Sequence, residues 1–454
     1  MGTGLRRSVR GFKVTDIWDR AHSALERSKP VSTRGVVTDL RGLIIESNGP
    51  AVGIGTTCSI VQGDMRTCAQ VVGFRKDRLL LMPLGELHGV APGATILAHG
   101  NSTSVIADYG LLGRVIDPLG DPLDGRPPVT IGEEISIFAQ PPSPLGRDRI
   151  SEVYDSGIKA LNGFLTLGRG QRVAVMSGSG VGKSTFLGMF ARHARSSVNV
   201  IALVGERGRE VREFIERDLG PQGMERSVVV VATSDTSALL RVRAAFTATA
   251  IAEYFRDRGE QVTLLLDSIT RFCMAQREIG LAIGEPPSTS GYTPSVFAML
   301  PKLVERAGTK RDAGSITGIY TVLVEGDDMN EPIADAVRGL LDGHIVLTRN
   351  LAGRGHYPAV DILQSVSRVM PDIVGDEDLA RASRGRQVLA DYAEAEDLIT
   401  IGAYKAGQNP RVDYAVEHIE ALRTFLRQRP EEKFSLGESR ELLSKIFAEK
   451  TIAH

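Results

Sequence analysis

The chain has 454 residues, with 54 basic and 55 acidic side chains, 49 glycines and three cysteines. The charges nearly cancel, which excludes a strong overall attraction to nucleic acid or to an acidic membrane surface. Cys58, Cys68 and Cys273 are too few for a disulfide framework, and their spacing does not match a zinc site. No apolar run reaches the roughly 18 residues of a membrane-spanning helix, so the composition predicts a cytosolic protein of two or three domains.

The first 27 residues are basic and carry a helical pattern. Val14, Ile17, Trp18 and Leu25 fall on one face of a helix. No apolar segment follows the basic start, so this segment is not a secretory signal. Two interpretations of residues 1–27 stay open: a solvated terminal segment, or an amphipathic segment that docks a partner.

Between residues 28 and 95, short runs rich in valine, isoleucine and threonine are separated by glycine, asparagine and aspartate. This spacing predicts a small β-barrel. A nucleic-acid-binding barrel is disfavoured because few aromatic side chains are interleaved for base stacking, with Phe74 nearly alone. The segment 110–128, GLLGRVIDPLGDPLDGRPP, is dense in glycine, proline and aspartate, which predicts consecutive turns that join two domains.

Residues 96–371 predict an α/β domain, because β-branched apolar runs alternate with longer helical patterns. The candidate strands are RVAVM, VNVIALVG, SVVVVATS, VTLLLD and GIYTVLVEG. Their nearly continuous apolar character is typical of a parallel sheet that is covered on both faces. Residues 372–454 are charged and carry apolar residues at three- and four-residue spacing, which predicts a helical C-terminal domain.

A glycine-rich segment, SGSGVGKST at residues 177–185, lies between the strand RVAVM and a helical pattern. Such a turn directs backbone N–H groups at a phosphate, and the helix N-terminus adds its positive end. We expect Lys183 to reach the β- and γ-phosphates of a nucleotide and the Ser184 hydroxyl to bind Mg²⁺. Ser177 replaces the first glycine of the strict pattern, which matters little because later residues supply the backbone donors. The predicted nucleotide-binding residues of this loop are Gly178, Ser179, Gly180, Val181, Gly182, Lys183, Ser184 and Thr185.

Two acidic residues end predicted strands of the same sheet. Asp267 closes VTLLLD, where its carboxylate can orient Mg²⁺ and the water molecules bound to it. Glu206 follows VNVIALVG, where it can polarise an attacking water or simply be an acid favoured at a helix start. Arg207 can meet the γ-phosphate or pair with a surface acid. For Arg368, the residues alone favour an internal ion pair over stabilisation of a transferring phosphoryl group.

Several motifs occur in the order seen in the catalytic subunits of rotary ATPases, and the chain resembles that family. They are SGSGVGKST, VGERGREV, the block from Asp267 to Phe297, and GHYPAVDILQSVSRVM. That block, with GRVIDPLGDPLDG and IGAYKAGQNPRVD, is more narrowly similar to the type III export ATPases of flagella and injectisomes. The resemblance covers about residues 28–430. It implies a β-barrel, a RecA-like P-loop ATPase core and a helical C-terminal domain, assembled as a homohexamer with nucleotide at each subunit interface.

The resemblance also implies roles for individual residues. Lys183, Ser184 and Thr185 match the residues that bind the phosphates of ATP and Mg²⁺. Glu206 matches the catalytic glutamate, and Asp267 matches the acid beside the metal ion.

Four further features match the family outside the phosphate loop and its acids. Arg207 matches an arginine that contacts the γ-phosphate, and Tyr357 an aromatic residue near the adenine. Arg368 matches an arginine inserted into the site of the neighbouring subunit. The loop at residues 284–297 would face the pore of the ring.

The implied function is ATP hydrolysis that energises type III protein export, and IGAYKAGQNP favours flagellar assembly over an injectisome. The implied partners are a stator-type regulator at the N-terminus, a central stalk protein in the pore, export substrates and their chaperones, and an export gate, with no nucleic acid. The chain would then work in the cytoplasm, peripheral to the export apparatus of the inner membrane. A rotary ATP synthase β-type subunit is disfavoured because no DELSE-type segment occurs. A non-catalytic subunit is disfavoured by Glu206, and an RNA translocase by the neutral charge and the sparse aromatic residues.

Overall fold

The computed structural model describes residues 34–100, 103–324, 326 and 328–448. The predicted docking segment, residues 1–27, lies outside them. The contacts divide the chain into two units, residues 1–102 and 103–454. Within the described part of the chain, no helix has both the length and the apolar character needed to span a bilayer.

A closed antiparallel β-barrel is formed by six strands within residues 34–100. They are β1 (Arg34–Arg41), β2 (Ile44–Asn48), β3 (Thr57–Gln62), β4 (Met65–Arg75), β5 (Arg78–Pro83) and β6 (Thr95–Gly100). They pair in the order β1-β2-β5-β4-β3-β6, and β1 also pairs with β6. Ile45, Leu81 and Ile96 are fully buried in its core.

The predicted barrel is confirmed, but it extends past the predicted boundary at residue 95, because β6 covers Thr95–Gly100. The sequence of β6, TILAHG, carries only two large apolar residues and ends in small and polar ones. It therefore lacks the density of β-branched residues that marked the earlier strands.

The second unit is built on a mainly parallel sheet. Its strands and short strand pairs are β7 (Ser104–Ala107), β8 (Arg114–Ile116), β9 (Glu133–Ser136), β10 (Val153–Tyr154), β11 (Leu167–Gly168), β12 (Arg172–Ser177), β13 (Val198–Glu206), β14 (Ser227–Thr233), β15 (Gln261–Asp267), β16 (Gly308–Thr309), β17 (Ser315–Leu323), β18 (Gly343–Leu347) and β19 (Val360–Ser367). The main sheet has the order β19-β18-β12-β17-β15-β13-β14-β8, with β16 paired to β17. Its strands run parallel except for β19 and β16, which are antiparallel to their neighbours. The five runs predicted as strands all lie in this sheet.

Helices cover the sheet and form the C-terminal region. They are α1 (Lys159–Phe164), α2 (Lys183–His193), α3 (Gly208–Glu213), α4 (Gly220–Glu225), α5 (Ala238–Arg256), α6 (Ile269–Ile283), α7 (Pro294–Val304), α8 (Pro332–Leu340), α9 (Arg349–Gly353), α10 (Met370–Ile373), α11 (Asp376–Thr400), α12 (Pro410–Leu426) and α13 (Leu436–Ile446). A π-helical segment, Phe214–Leu219, joins α3 to α4. The helices predicted around residues 376–399 and 413–428 correspond to α11 and α12, whereas α13 was not predicted.

One predicted turn segment is wrong in part, because residues 110–128 contain β8. This strand, Arg114–Ile116, pairs in parallel with β14 at the edge of the main sheet. It is held by Arg114, whose side chain is buried and pairs with Asp124 at 2.6 Å. Three residues are too short to leave an alternating pattern, so glycine and proline dominated the sequence signal.

Candidate active site

The phosphate loop lies where the sequence predicted it, between the end of β12 and the start of α2. β12 ends at Ser177, which is buried in the sheet opposite Leu323. Gly180 and Gly182 have φ angles of 79° and 92°, which side-chain-bearing residues rarely adopt. Ser177 is instead an extended strand residue, so this position does not require the glycine of the strict pattern. The first N–H groups of α2 therefore face the cleft with the positive end of the helix.

The structure brings the predicted loop residues and the predicted acids to one cleft. Its walls are residues 177–180 and 182–185 with Glu206 and Arg207. A small adjoining cavity is lined by Ser184, Glu206 and Asp267. Val181 differs from its neighbours, because its side chain is buried in the core and leaves only its backbone for binding.

Lys183 forms ion pairs with both acids of the cleft. Its ammonium group contacts the carboxylate of Asp267 and lies 3.5 Å from Oε1 of Glu206. The Thr321 hydroxyl donates a hydrogen bond of 2.7 Å to Oδ1 of Asp267. Burial lowers the pKa of Lys183, but the two carboxylates outweigh burial and the net pKa is raised. The ammonium group is therefore charged and directed at the two acids.

Glu206 has an unusual proton affinity for a carboxyl group. Burial, reinforced by the negative charge of Asp267, raises the pKa of Glu206 to about 7, and Lys183 opposes this rise. A general base works best when its pKa lies near the working pH. The position of Glu206 thus suits proton transfer, whereas a helix-start acid favoured only by the dipole would have a lowered pKa.

The donor set of the cleft fits Mg²⁺. The Ser184 hydroxyl and the Asp267 carboxylate line the same small cavity and offer the oxygen ligands that Mg²⁺ prefers. Among the described residues, no group of three or more histidine, cysteine or acidic side chains could enclose a metal ion alone. This arrangement suits an ion that arrives with the phosphate oxygens of a nucleotide.

Arg207 and Tyr357 lie at the rim of the cleft. The Arg207 guanidinium is 77% exposed and donates to Glu210 at 2.9 Å. The Tyr357 ring lies beside the loop, since a Cβ added to Gly182 would be 3.4 Å from it. Arg207 thus lines the cleft, and the Tyr357 ring lies next to the phosphate loop.

Arg368 lies away from the phosphate loop of its own chain. It follows β19, which runs antiparallel to β18 and so returns the chain to the amino end of the parallel strands. There its backbone N–H donates to the carbonyl of Asp342, beside Arg172 at the start of β12. The phosphate loop follows the other end of β12, about 16 Å away along the strand. Arg368 is exposed and cannot reach its own loop.

Other cleft residues were missed by sequence reasoning. Arg271 lies in α6, which follows the strand that ends at Asp267, and a Cβ on Gly205 would lie 3.0 Å from its side chain. Thr321 belongs to β17, and its hydrogen bond to Asp267 could not be inferred without the sheet order. Further lining side chains are Glu210, Arg217, Ser234 and Arg349.

Two family models match the chain. One describes the nucleotide-binding domain of the ATP synthase alpha/beta family and matches residues 157–367. The other describes the C-terminal domain of the T3SS EscN ATPase and matches residues 374–445.

Known proteins agree with these models. The flagellum-specific ATP synthase of Bacillus subtilis strain 168 is 51% identical over 93% of this chain and 97% of its own. The type 3 secretion system ATPase of Xanthomonas euvesicatoria is 47% identical, over 91% and 93% of the two chains. The chain belongs to the family of flagellar and type III secretion ATPases.

Solved structures of this ATPase family have the same fold. The assembled ATPase EscN from the type III secretion system of enteropathogenic E. coli matches with a TM-score of 0.87 and 43% identity, covering 91% of this chain and 100% of that one. EscN in complex with its central stalk EscO matches with a TM-score of 0.84, 42% identity and the same coverage. The predicted RecA-like ATPase fold, the ATPase activity and the assignment to type III export are thereby confirmed.

Proposed function

We propose that this ATPase hydrolyses Mg²⁺-ATP to energise the export of flagellar proteins, with Glu206 as the base. The observation that carries the proposal is the meeting of Lys183, Ser184, Glu206 and Asp267 at one cleft beside a helix N-terminus. Lys183 pairs with both acids of the cleft. Its ammonium group is placed to bind the phosphates of ATP, next to Glu206 as the acceptor of a proton.

The proposed chemistry follows from these positions. Glu206 takes a proton from a water molecule while the water oxygen attacks the γ-phosphorus and ADP leaves. Ser184 and Asp267 would hold Mg²⁺, which neutralises phosphate charge when it is bound. Lys183 and Arg207 stabilise the charge of the transferring phosphoryl group, and Tyr357 contacts the adenine.

Arg368 completes the site of the neighbouring subunit in a homohexamer. Its exposure and its distance from its own phosphate loop support this role. The EscN relatives, an assembled ATPase and a complex with a central stalk, support a ring of this kind with a stalk protein in the pore formed by loop 284–297.

The remaining proposed partners are a stator-type regulator on residues 1–27, export substrates with their chaperones, and an export gate, with the ring peripheral to the inner membrane. The more similar of the two curated relatives supports the flagellar system. The EscN likeness favours an injectisome as the second candidate. A pull-down from the native cell decides between the flagellar system and the injectisome. Flagellar stator and stalk proteins should co-purify with the chain, and recovery of injectisome components instead would overturn the flagellar assignment.

The proposed base predicts a pH dependence of the reaction. Glu206 must be deprotonated, and its pKa is raised to about 7, so kcat/KM for Mg²⁺-ATP should fall about tenfold per pH unit below about pH 7. Initial rates between about pH 5.5 and 9, with Mg²⁺ in excess at every pH, measure this. A profile that stays flat through neutral pH would contradict the role of Glu206 as the base.

A further inference from the structure

The turn between α8 and β18 is bound to the first residue of β12. The carboxylate of Asp342 in this turn accepts hydrogen bonds from the backbone N–H of Arg172 at 3.0 Å and from its Nε and Nη2 at 3.1 Å. In return, the Asp342 N–H donates to the Arg172 carbonyl at 2.8 Å. Nη1 of Arg172 pairs with Glu305 at 2.5 Å, so the guanidinium is held from two sides.

The same turn holds Arg368. The carbonyl of Asp342 accepts from the Arg368 N–H and from Nε2 of the fully buried Gln171, each at 3.0 Å. The Arg368 guanidinium donates to the carbonyls of Leu341 at 3.3 Å and Arg338 at 3.1 Å. The direction in which Arg368 projects therefore depends on where this turn lies.

Two strands connect the turn to the cleft of the same subunit. β12 runs from Arg172 to Ser177 and continues into the phosphate loop. β18 begins next to Asp342 and pairs in parallel with β12 up to Ser177 and Leu347. It leads into α9, whose Arg349 lines the cleft. Both strands are largely buried in a close-packed sheet, which moves as a body rather than stretching.

We propose that Asp342, together with Gln171, is a positioning residue for Arg368, and that it ties this arginine to the strand that carries the phosphate loop of its own subunit. The inference rests on the proposed role of Arg368 in the neighbouring site. Nucleotide bound at one subunit's loop acts on the end of β12, and the Arg172–Asp342 pair at the other end passes the displacement to Arg368. The position of Arg368 in each subunit therefore depends on the nucleotide bound at the phosphate loop of that same subunit.

Replacing Asp342 shows whether the loss of activity arises in the subunit's own cleft or in the cleft of its neighbour. Asp342→Ala should lower kcat about 10- to 100-fold, because a small displacement of a catalytic group has effects of this size. KM for ATP should change little, since the side chains of its own cleft stay in place. Asp342→Asn retains an acceptor oxygen for Arg172 and should lie between the parent and Asp342→Ala.

Mixtures of two variants distinguish a misplaced Arg368 from damage to the cleft of the Asp342→Ala subunit itself. Glu206→Gln subunits are expected to bind ATP without hydrolysing it and they keep Arg368, so mixing them with Asp342→Ala subunits should raise the rate per Asp342→Ala subunit several-fold. A cleft damaged by the substitution could not be rescued in this way. Asp335→Ala is the control, because Asp335 on α8 is 71% exposed and pairs with Arg338; its rate should equal that of the parent.

The outcomes distinguish this inference from the proposed function. If Arg368→Ala is rescued by Glu206→Gln subunits but Asp342→Ala is not, Asp342 does not position the arginine. If neither variant is rescued, the role of Arg368 in the neighbouring site fails and this inference fails with it. Thermal melting monitors folding, and Asp342→Asn carries the mixing test if Asp342→Ala does not fold.

Discussion

Glu206→Gln is expected to bind ATP about as well as the parent and to hydrolyse it about 10²- to 10⁴-fold more slowly. Glutamine has the shape of glutamate but cannot accept a proton from the attacking water. The substitution leaves the side chains of Lys183 and Asp267 unchanged, and these pair with each other in the parent. Phosphate release gives the rate, and titration with a fluorescent nucleotide analogue gives the affinity.

A matched variant separates this effect from a general change of charge. Glu213→Gln removes an acid from the same region, at a side chain that is 41% exposed and paired with Arg209 outside the cleft. It should hydrolyse ATP at the parent rate. Hydrolysis by Glu206→Gln at close to the parent rate would show that another group takes the proton.

Arg368→Ala should be nearly inactive alone, with a loss of about 10³- to 10⁵-fold, and partly active when it is mixed with Lys183→Ala. Under the proposed roles, each variant lacks one half of a site, and the two halves lie at opposite ends of β12. In a random equal mixture, about one quarter of the interfaces join an intact loop to an intact arginine. The measurement is the steady-state rate of the mixture against the rates of the separate variants.

The control for the mixing experiment is Arg381→Ala. Arg381 pairs with Glu377 and Asp378 on α11, so its loss removes a positive charge without touching either half of the site. It should retain the parent activity with or without Lys183→Ala subunits, apart from dilution. A mixture of Arg368→Ala and Lys183→Ala with no more activity than its parts would count against an arginine shared between subunits.

The phosphate loop could be predicted because its signal is local. Residues 177–185 carry their own strand, turn and helix in one stretch. Glu206 and Asp267 could be placed next to the loop because parallel strands end at one edge of a sheet, and β13 and β15 are direct neighbours. Their residue types and positions thus needed only the α/β pattern.

The other features of the site depend on contacts between residues that are far apart in the sequence, and no local sequence pattern contains these contacts. The ion pair of Lys183 with Asp267 and the hydrogen bond from Thr321 arise from the sheet order. The place of Arg368 depends on the reversed direction of β19, because a parallel strand would have carried it to the opposite edge. Apolar periodicity is the same for parallel and antiparallel partners in a buried sheet, so it could not distinguish them.

The direction of β19 also limits which assemblies can work. A two-fold symmetric contact uses the same patch of both molecules. A head-to-tail contact instead sets the arginine edge of one chain against the loop edge of the next, and every such contact is matched once the ring closes. Under the proposed roles, separate chains in dilute solution bind ATP without hydrolysing it. Hydrolysis therefore begins when the chains assemble.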